Sequence, residues 1–570
     1  MCKLLITFFF FLLTSSFSKE LYESDEWRAL LHFTDNNKSE ISDPQFFLSE
    51  KEFSPKKEYE ALLALLLSSK RCETECRFPA RSRFLNKYLD LNLSFEHCQD
   101  LQAYLNESNG DSASVVLVSS FLGSPASYFG HSFIKLNKKN NLYFSHTIGF
   151  AADMKPTVDD PYPFYNLFMG KLKGRYLYSP YYQLLEQYSA IEQRSLVEYN
   201  LSLTKDEINN LRWHAYELRN VKTDYGLLHK NCAFELLWLL EVARPSIRLR
   251  EHFEYYAVPR ETIDVLKEQG LVNNISTRPS DIDSMYIQYR SLNQKEKEFF
   301  SEWKESDNKY VMFNNSDFNS TSKQSLAYLM NTYYDVAFKK YKDPADDFQE
   351  VKKIRYINPK TDYEGEPYSS LNPSKISVGR IENKDGAGTQ IQLIPVLFNR
   401  RDERSNELSE ETLEILSLKI NNQHNNTRLE SIDLLKNESF TRRYDFFSPF
   451  SWRVYAGANR SLSDRSLQPL LEVASGLSYG KENSLIYCLI QPTIYPLAST
   501  VGISAIGGIG YWIGDAHIGV DLKQNIIFTA QKPSSSREAY LSLPINKRYF
   551  IHAKYDFYTK ESYLGATYRF

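Results

Sequence analysis

Residues 549–557 read YFIHAKYDF. In an extended chain Tyr549, Ile551, Ala553, Tyr555 and Phe557 point one way, and Phe550, His552, Lys554 and Asp556 the other. A period of two with one apolar and one polar side marks a β-strand. The pattern recurs upstream. In 516–523, Ala516, Ile518, Val520 and Leu522 oppose His517, Gly519, Asp521 and Lys523. In 452–459, Trp452, Val454, Ala456 and Ala458 oppose Arg453, Tyr455, Gly457 and Asn459. The last stretch sets Leu564, Ala566, Tyr568 and Phe570 against Gly565, Thr567 and Arg569. Residues 375–570 hold 13 of the 22 glycines. They divide into roughly twelve such strands joined by short turns, as a transmembrane β-barrel requires. A secreted β-sandwich alternates equally well. The strand count and the N-terminal segment favour the barrel.

The remainder of the chain is of another kind. Of 570 residues, 40 are Tyr, 36 Phe and 6 Trp, yet the mean hydropathy is −0.46. Residues 371–570 carry 23 of these 82 aromatics, so most belong to the first 370 residues, in runs such as Tyr176–Tyr182. Apolar mass on this scale excludes global disorder. Basic and acidic residues nearly balance, 68 against 71, which argues against a nucleic-acid partner. No apolar run reaches the roughly 18 residues of a spanning helix, so a helical membrane bundle is excluded.

Lys3, the apolar stretch Leu4–Leu13 and the small residues Ser16 and Ser18 read as a secretory signal over 1–18. Five cysteines follow: Cys72, Cys76, Cys98, Cys232 and Cys488. An odd number in an oxidising compartment leaves at least one thiol free. Two of Cys72, Cys76 and Cys98 can form a disulfide, or the cluster with His97 can hold zinc. Residues 19–105 read as a helical module, with Leu62, Leu63, Leu65 and Leu66 repeating on 58–67. Residues 106–275 read as an α+β domain. Strands are expected at 114–121, 132–136 and 143–150, and helices at about 179–193, 205–220 and 232–243. Residues 276–374 read as a helical connecting segment, and 375–570 as the barrel.

Two stretches carry chemistry. Residues 127–133, SYFGHSF, place His131 at the opening of a strand. Residues 230–240, KNCAFELLWLL, place Cys232 in the first turn of an almost wholly apolar helix, with Asn231 a good N-cap. A thiol at a helix N-terminus feels the positive end of the dipole, and a histidine in reach can take its proton. A buried thiol that only packs, or a metal site of Cys232, His131 and His146, are the alternatives. Asp153, Asp159 and Asp160 read as a solvated loop or a cation site, and Arg400–Arg404 as an exposed barrel loop.

The stretches from GHSFIKL through YNLFMGKLKGRYLYSPYYQLLEQYSAIEQRSLVEYNLSLTKDEINNLRWHAYEL to NCAFELLWLLEVARPSIRL resemble the Lnb N-terminal periplasmic domain family. Residues 76–81, CRFPAR, resemble the helical module preceding that domain, and 448–452, SPFSW, the barrel-like region following it. Phe570, closing a strand, resembles the last residue of many outer-membrane barrels. The order His-then-Cys, with Asn before Cys, resembles the permuted papain-like fold of the NlpC and lecithin:retinol acyltransferase group. That resemblance implies Cys232 as nucleophile, His131 as base and a third polar residue on the next strand, His146, with Ser145 and Thr147 as rivals. Asn231 then orients the loop or caps the helix, and Tyr128 lies near the substrate. The expectation is an α+β papain-like thiol-hydrolase domain with a helical N-terminal module, followed by an antiparallel β-barrel. Such a protein is an envelope cysteine hydrolase or acyltransferase without cofactor or metal. It acts on a peptidoglycan peptide, lipid or lipoprotein in the periplasm and is anchored in outer-membrane lipid. A non-catalytic barrel protein whose periplasmic domain binds envelope components is the alternative.

Overall fold

The computed structural model describes all residues except 1–20, 35–37, 50–52, 120–129, 153–161, 255, 342–347, 357–362, 365–370, 373, 385, 405–408, 445–446, 461–465, 482, 498–499 and 529–534. The expected signal, Tyr128, Asp153, Asp159 and Asp160 lie outside the described residues. The chain forms two compact units, one built mainly from residues up to 284 and the other mainly from 285–335 and 366–570.

The first unit is centred on an antiparallel sheet. Its strands are β1 (Ser112–Val118), β2 (His131–Asn137), β3 (His146–Ala152), β4 (Leu172–Pro180), β5 (Leu196–Leu201), β6 (Lys222–Tyr225), β7 (Val272–Arg278) and β8 (Tyr363–Glu364). Their order is β6-β4-β3-β2-β1-β5-β7-β8. Helices α1 (Asp25–Leu30), α2 (Pro55–Leu66), α3 (Arg71–Arg77), α4 (Pro79–Leu89) and α5 (Gln99–Glu107) precede it. Then come α6 (Pro163–Phe168), α7 (Tyr181–Leu185) with a π-helical continuation Glu186–Ile191, α8 (Lys205–Glu217), α9 (Cys232–Ala243) and α10 (Pro259–Glu268). Tyr143 and Phe144 lie in a 3-10 turn, so the expected strand at 143–150 begins only at His146. Thr204 and Glu207 close a capping box on α8.

All twelve residues of α9 are buried, so it needs cover on every side. The sheet provides one side, where Tyr176 on β4 donates to Glu235 on α9. The N-terminal helices provide another. His32 stacks on Trp238 of α9 with ring centroids 4.3 Å apart, and its Nε2 lies 2.9 Å from Nε2 of His214 on α8. Arg81 on α4 binds Glu217 on α8 through both its backbone N–H and its guanidinium. A disulfide joins Cys76 to Cys98, leaving Cys72 and Cys488 exposed and Cys232 buried as thiols. With both sulfurs bonded to each other, the cluster Cys76, His97 and Cys98 cannot serve as the zinc site considered from the sequence.

The second unit contains helices α11 (Gln294–Glu305) and α12 (Lys309–Asn314) and a closed antiparallel barrel. The barrel strands are β9 (Lys375–Asn383), β10 (Gly386–Ile394), β11 (Val396–Asn399), β12 (Ser409–Gln423), β13 (Asn426–Thr441), β14 (Ser451–Arg460), β15 (Leu467–Tyr479), β16 (Ser484–Tyr495), β17 (Thr500–Ile513), β18 (Ala516–Phe528), β19 (Ser536–Pro544), β20 (Tyr549–Asp556) and β21 (Glu561–Arg569). β21 pairs with β9, and β10 with β12, which closes the ring. β10 and β11 both pair with β12 and are one strand broken at Pro395, which has no N–H for the ladder. The ring therefore has twelve strands.

Alternation runs as the sequence indicates. Ile518, Val520, Leu522 and Leu564 are exposed on the outer surface, while His517, Thr567 and Arg569 are buried inside. An apolar outside around a polar lumen is the arrangement lipid imposes. The expectation for Arg400–Arg404 needs correction. Arg400, Asp402 and Glu403 are buried, and the segment turns into the lumen. Acidic residues on the inner wall bind its arginines, and Lys375 and Arg569 bind Asp402. A run of charges reads as solvated in sequence because its partners lie on distant strands.

The disulfide has a direct check. Among the described residues, alkylation of the denatured, unreduced chain should modify Cys72, Cys232 and Cys488, and reduction should expose only Cys76 and Cys98 in addition. Peptide mass mapping that finds Cys72 oxidised in place of Cys76 would contradict the pairing.

Candidate functional site

The turn before α9 places Cys232. Lys230 takes a left-handed conformation, φ 55°, and Asn231 an extended one. The Asn231 Oδ1 accepts the N–H groups of Ala233 (3.1 Å) and Phe234 (3.2 Å). Its Nδ2 donates to the carbonyls of Leu227 and Ala257. Asn231 therefore caps the helix and ties two loops to it. All four bonds are internal, so it is a positioning group.

β2 passes beneath the start of α9. The Ser132 N–H and hydroxyl lie against the Cys232 sulfur, as does the Ala233 N–H. The Ser132 Oγ is buried and makes no hydrogen bond among the described residues, so it is a free donor beside the sulfur. Burial pushes the thiol above its ordinary value; these donors and the positive charge of Arg194 oppose that rise. Arg194 is itself buried, donating to the Ser119 carbonyl (2.7 Å), pairing with Glu192 (2.8 Å) and lying over the Tyr188 ring.

His131 is the neighbour of Ser132, and strand alternation sends their side chains to opposite faces. Ser132 shares the α9 side with Phe150 and Tyr176, which are paired across β3 and β4. His131 shares the other side with Phe133 and with Gly149, where a Cβ would stand 3.8 Å from the His131 Nε2. His131 opens β2, at the end of the sheet, with the Tyr188 ring 5.9 Å away. Burial, with a smaller contribution from the Cys232 charge, pushes the Tyr188 and Tyr225 phenols above their ordinary value, so both are within electrostatic reach of the sulfur. Burial and Arg194 hold His131 down at about 3, leaving the imidazole neutral at ordinary pH.

His146 does not join this group. It pairs with Leu136, four residues along β2 from Ser132, which is about 13 Å. There it packs against Tyr104 and Tyr178, with its Nδ1 3.9 Å from the Glu107 carboxylate. Ser145 and Thr147 are at that same end, accepting from the Lys138 N–H and donating to the Ser179 carbonyl respectively. Extending the β2–β3 register puts Ala151 opposite His131, so β3 offers no polar third residue there. The polar neighbours of Cys232 that sequence reasoning missed are Ser132, Arg194, Tyr188 and Tyr225. Only Ser132 was signalled, by its place next to His131.

The two units thus define an outer-membrane β-barrel protein with a periplasmic α+β domain before the barrel. Residues 100–269 match the Lnb N-terminal periplasmic domain, and the chain carries a domain of that family. Residues 19–88 and 365–536 match two domains of unknown function, DUF7843 and DUF7840. No curated protein matches the chain. Among solved structures, the KdgM porin aligns at 14% identity over 34% of this chain and 99% of its own, with a TM-score of 0.22. Outer membrane phospholipase A from Escherichia coli aligns at 15% identity over 38% and 94%, also with a TM-score of 0.22. At these scores the likeness says nothing about substrate or chemistry.

Two variants test this geometry. Asn231→Ala should lower stability by roughly 2–4 kcal/mol, combining a lost cap with buried carbonyls left unpaired, and Asn231→Asp should recover the cap share alone. Denaturant unfolding of the solubilised chain, followed by helical ellipticity, measures both. Burial lifts Glu235 from 4.5 to about 8. Between those values the folded chain holds a proton that the unfolded chain releases, so stability falls as pH rises through the window. Glu235→Gln should flatten that slope, and an unchanged slope would mean the carboxyl titrates normally.

Proposed function

We propose that the periplasmic domain is a thiol acyl-transfer centre with Cys232 as nucleophile, held at the outer membrane by its own barrel. The observation that carries this reading is a buried sulfur at the start of a capped helix, with the Ser132 and Ala233 N–H groups and the Arg194 charge opposing the rise that burial imposes on its thiol. Structural thiols have no need of donors that favour the thiolate. In the reaction the Cys232 sulfur bonds to the carbonyl carbon of an ester or amide. The thiol proton leaves for His131, which stands at the open end of the sheet beside Tyr188 but on its other face, so the transfer runs round that end, and then goes to the departing alcohol or amine as the old bond breaks. Water or an acceptor amine then releases the acyl group from the thioester. The Cys232 N–H, which Asn231 does not engage, is available to the oxyanion. His146 has no part in this scheme. Peptidoglycan peptides, acylated lipids and lipoproteins are the substrate classes, and the aromatic walls suit an acyl chain.

A second reading has its own observation. Cys232 is fully buried and His131 leaves the opposite face of the sheet, which fits a packing thiol in a domain that binds envelope components without chemistry. A thiol-directed electrophile separates the two. On the catalytic reading, folded protein should label at Cys232 faster than denatured protein. His131→Ala should slow labelling by about a hundredfold, and His146→Ala should leave it within about threefold. Labelling no faster than in the denatured chain, with Cys232→Ala leaving envelope extracts unchanged, would sink the enzyme.

A further inference from the structure

The barrel strands follow one another round the ring in the order β9, β21, β20, β19, β18, β17, β16, β15, β14, β13, β12, β10. On this ring β13 and β19 are six steps apart in a circuit of twelve, so they are diametrically opposed. Arg400 touches both. Its guanidinium lies 3.7 Å from Glu438 on β13 and 5.1 Å from the Phe440 ring on the same strand. It donates to Tyr540 on β19 (3.4 Å), to Tyr487 on β16 (3.4 Å) and to Asp521 on β18 (2.9 Å). A side chain bonded to opposite walls of a closed barrel occupies its axis.

The neighbouring residues complete a transverse layer. Arg401 binds Glu538 (2.8 Å) and Asp521 and lies over the Tyr540 ring. Asp402 accepts from Arg569 on β21 (2.8 Å), Lys375 on β9 (3.2 Å) and Ser542 on β19 (3.0 Å). Glu403 adds a second acid beside Arg569. The layer sits at the end where β9 begins and β21 finishes, since Lys375 and Arg569 are the terminal residues of those strands. Beyond it a cavity of about 960 Å³ runs to Arg460, Tyr495 and Tyr558 near the other end, with Arg401 and Asp402 among its walls.

We propose that residues 400–403 are an internal plug, so that the barrel is a blind cup and not a conduit. Charged groups taken out of water persist only when matched, and here each is matched by the opposite charge on the wall. Matching of this kind holds the segment across the axis at rest. Removing the plug's charges removes both the bridge and its bulk, which opens the axis to hydrated ions. The inference stands independently of any chemistry at Cys232.

Planar-bilayer recording of the full-length protein at 0.15 M KCl tests it, with barrel integrity read from the mobility difference between unheated and boiled samples. Wild type should show no steady conductance. Arg400→Ala with Arg401→Ala and Asp402→Ala should raise conductance by at least about tenfold. Asp521→Asn, a milder change that removes the acid shared by both arginines but leaves Glu438 and Glu538, should give intermittent openings. Steady open-channel steps in wild type would overturn the proposal, and so would silence from a heat-modifiable triple variant. If the triple variant fails to fold, the wild-type and Asp521→Asn recordings decide.

Discussion

An α-helix with no polar side has to be covered all the way round, and α9 is such a helix. The sheet can cover only one side of it. The opposite side falls to the N-terminal segment, which is why His32 lies flat on Trp238 and why the helices before the sheet belong to the same body. Even the two carboxylates within α9 are drawn into this burial. Glu241 gathers the N–H groups of Leu249 and Arg250 and the Arg250 guanidinium, and Glu235 takes the Tyr176 hydroxyl. The position of Cys232 follows from the same constraint. Once α9 is pinned along β2 and β3, its first residue must fall at the end of the sheet where β2 opens.

The barrel solves the opposite problem. Lipid requires the outside to be apolar, so charge is turned inward, where acids and bases must find one another across the lumen. Glu472 meets Arg453 and Lys523 within the wall, and Arg400 and Asp402 meet theirs from a segment crossing the axis. The inward charges that make the strands alternate are thus the same groups that fill the interior.

Much of this was legible from local pattern. Alternation along 549–557 and 516–523 marked barrel strands, because a side-chain period of two reports burial directly. Asn231 before an apolar run marked a capped helix. Less local features escaped. β5 (LVEYNL) and β7 (VNNISTR) carry too little contrast to be seen without the neighbours they pair with. The π-helical turn that brings Tyr188 to His131 has no local signal at all. His146 was the third residue that the family resemblance implied, but a place on the next strand does not reveal register. The β2–β3 pairing sets it beside Leu136 and leaves Ala151 opposite His131.

By itself the sequence determined which faces are apolar, where helices are capped, that the C-terminal part is a barrel, and that Cys232 begins a buried helix. Those properties are written in residues within a turn or a strand of one another. The tertiary structure alone decided that Ser132, and not His131, faces the sulfur, that Cys76 pairs with Cys98, and that Arg400 stands on the barrel axis. Each of these depends on register, strand order or closure. Such properties bring together residues far apart in the chain, Arg400 and Tyr540 by 140 positions and Asp402 and Arg569 by 167, and no local periodicity encodes them.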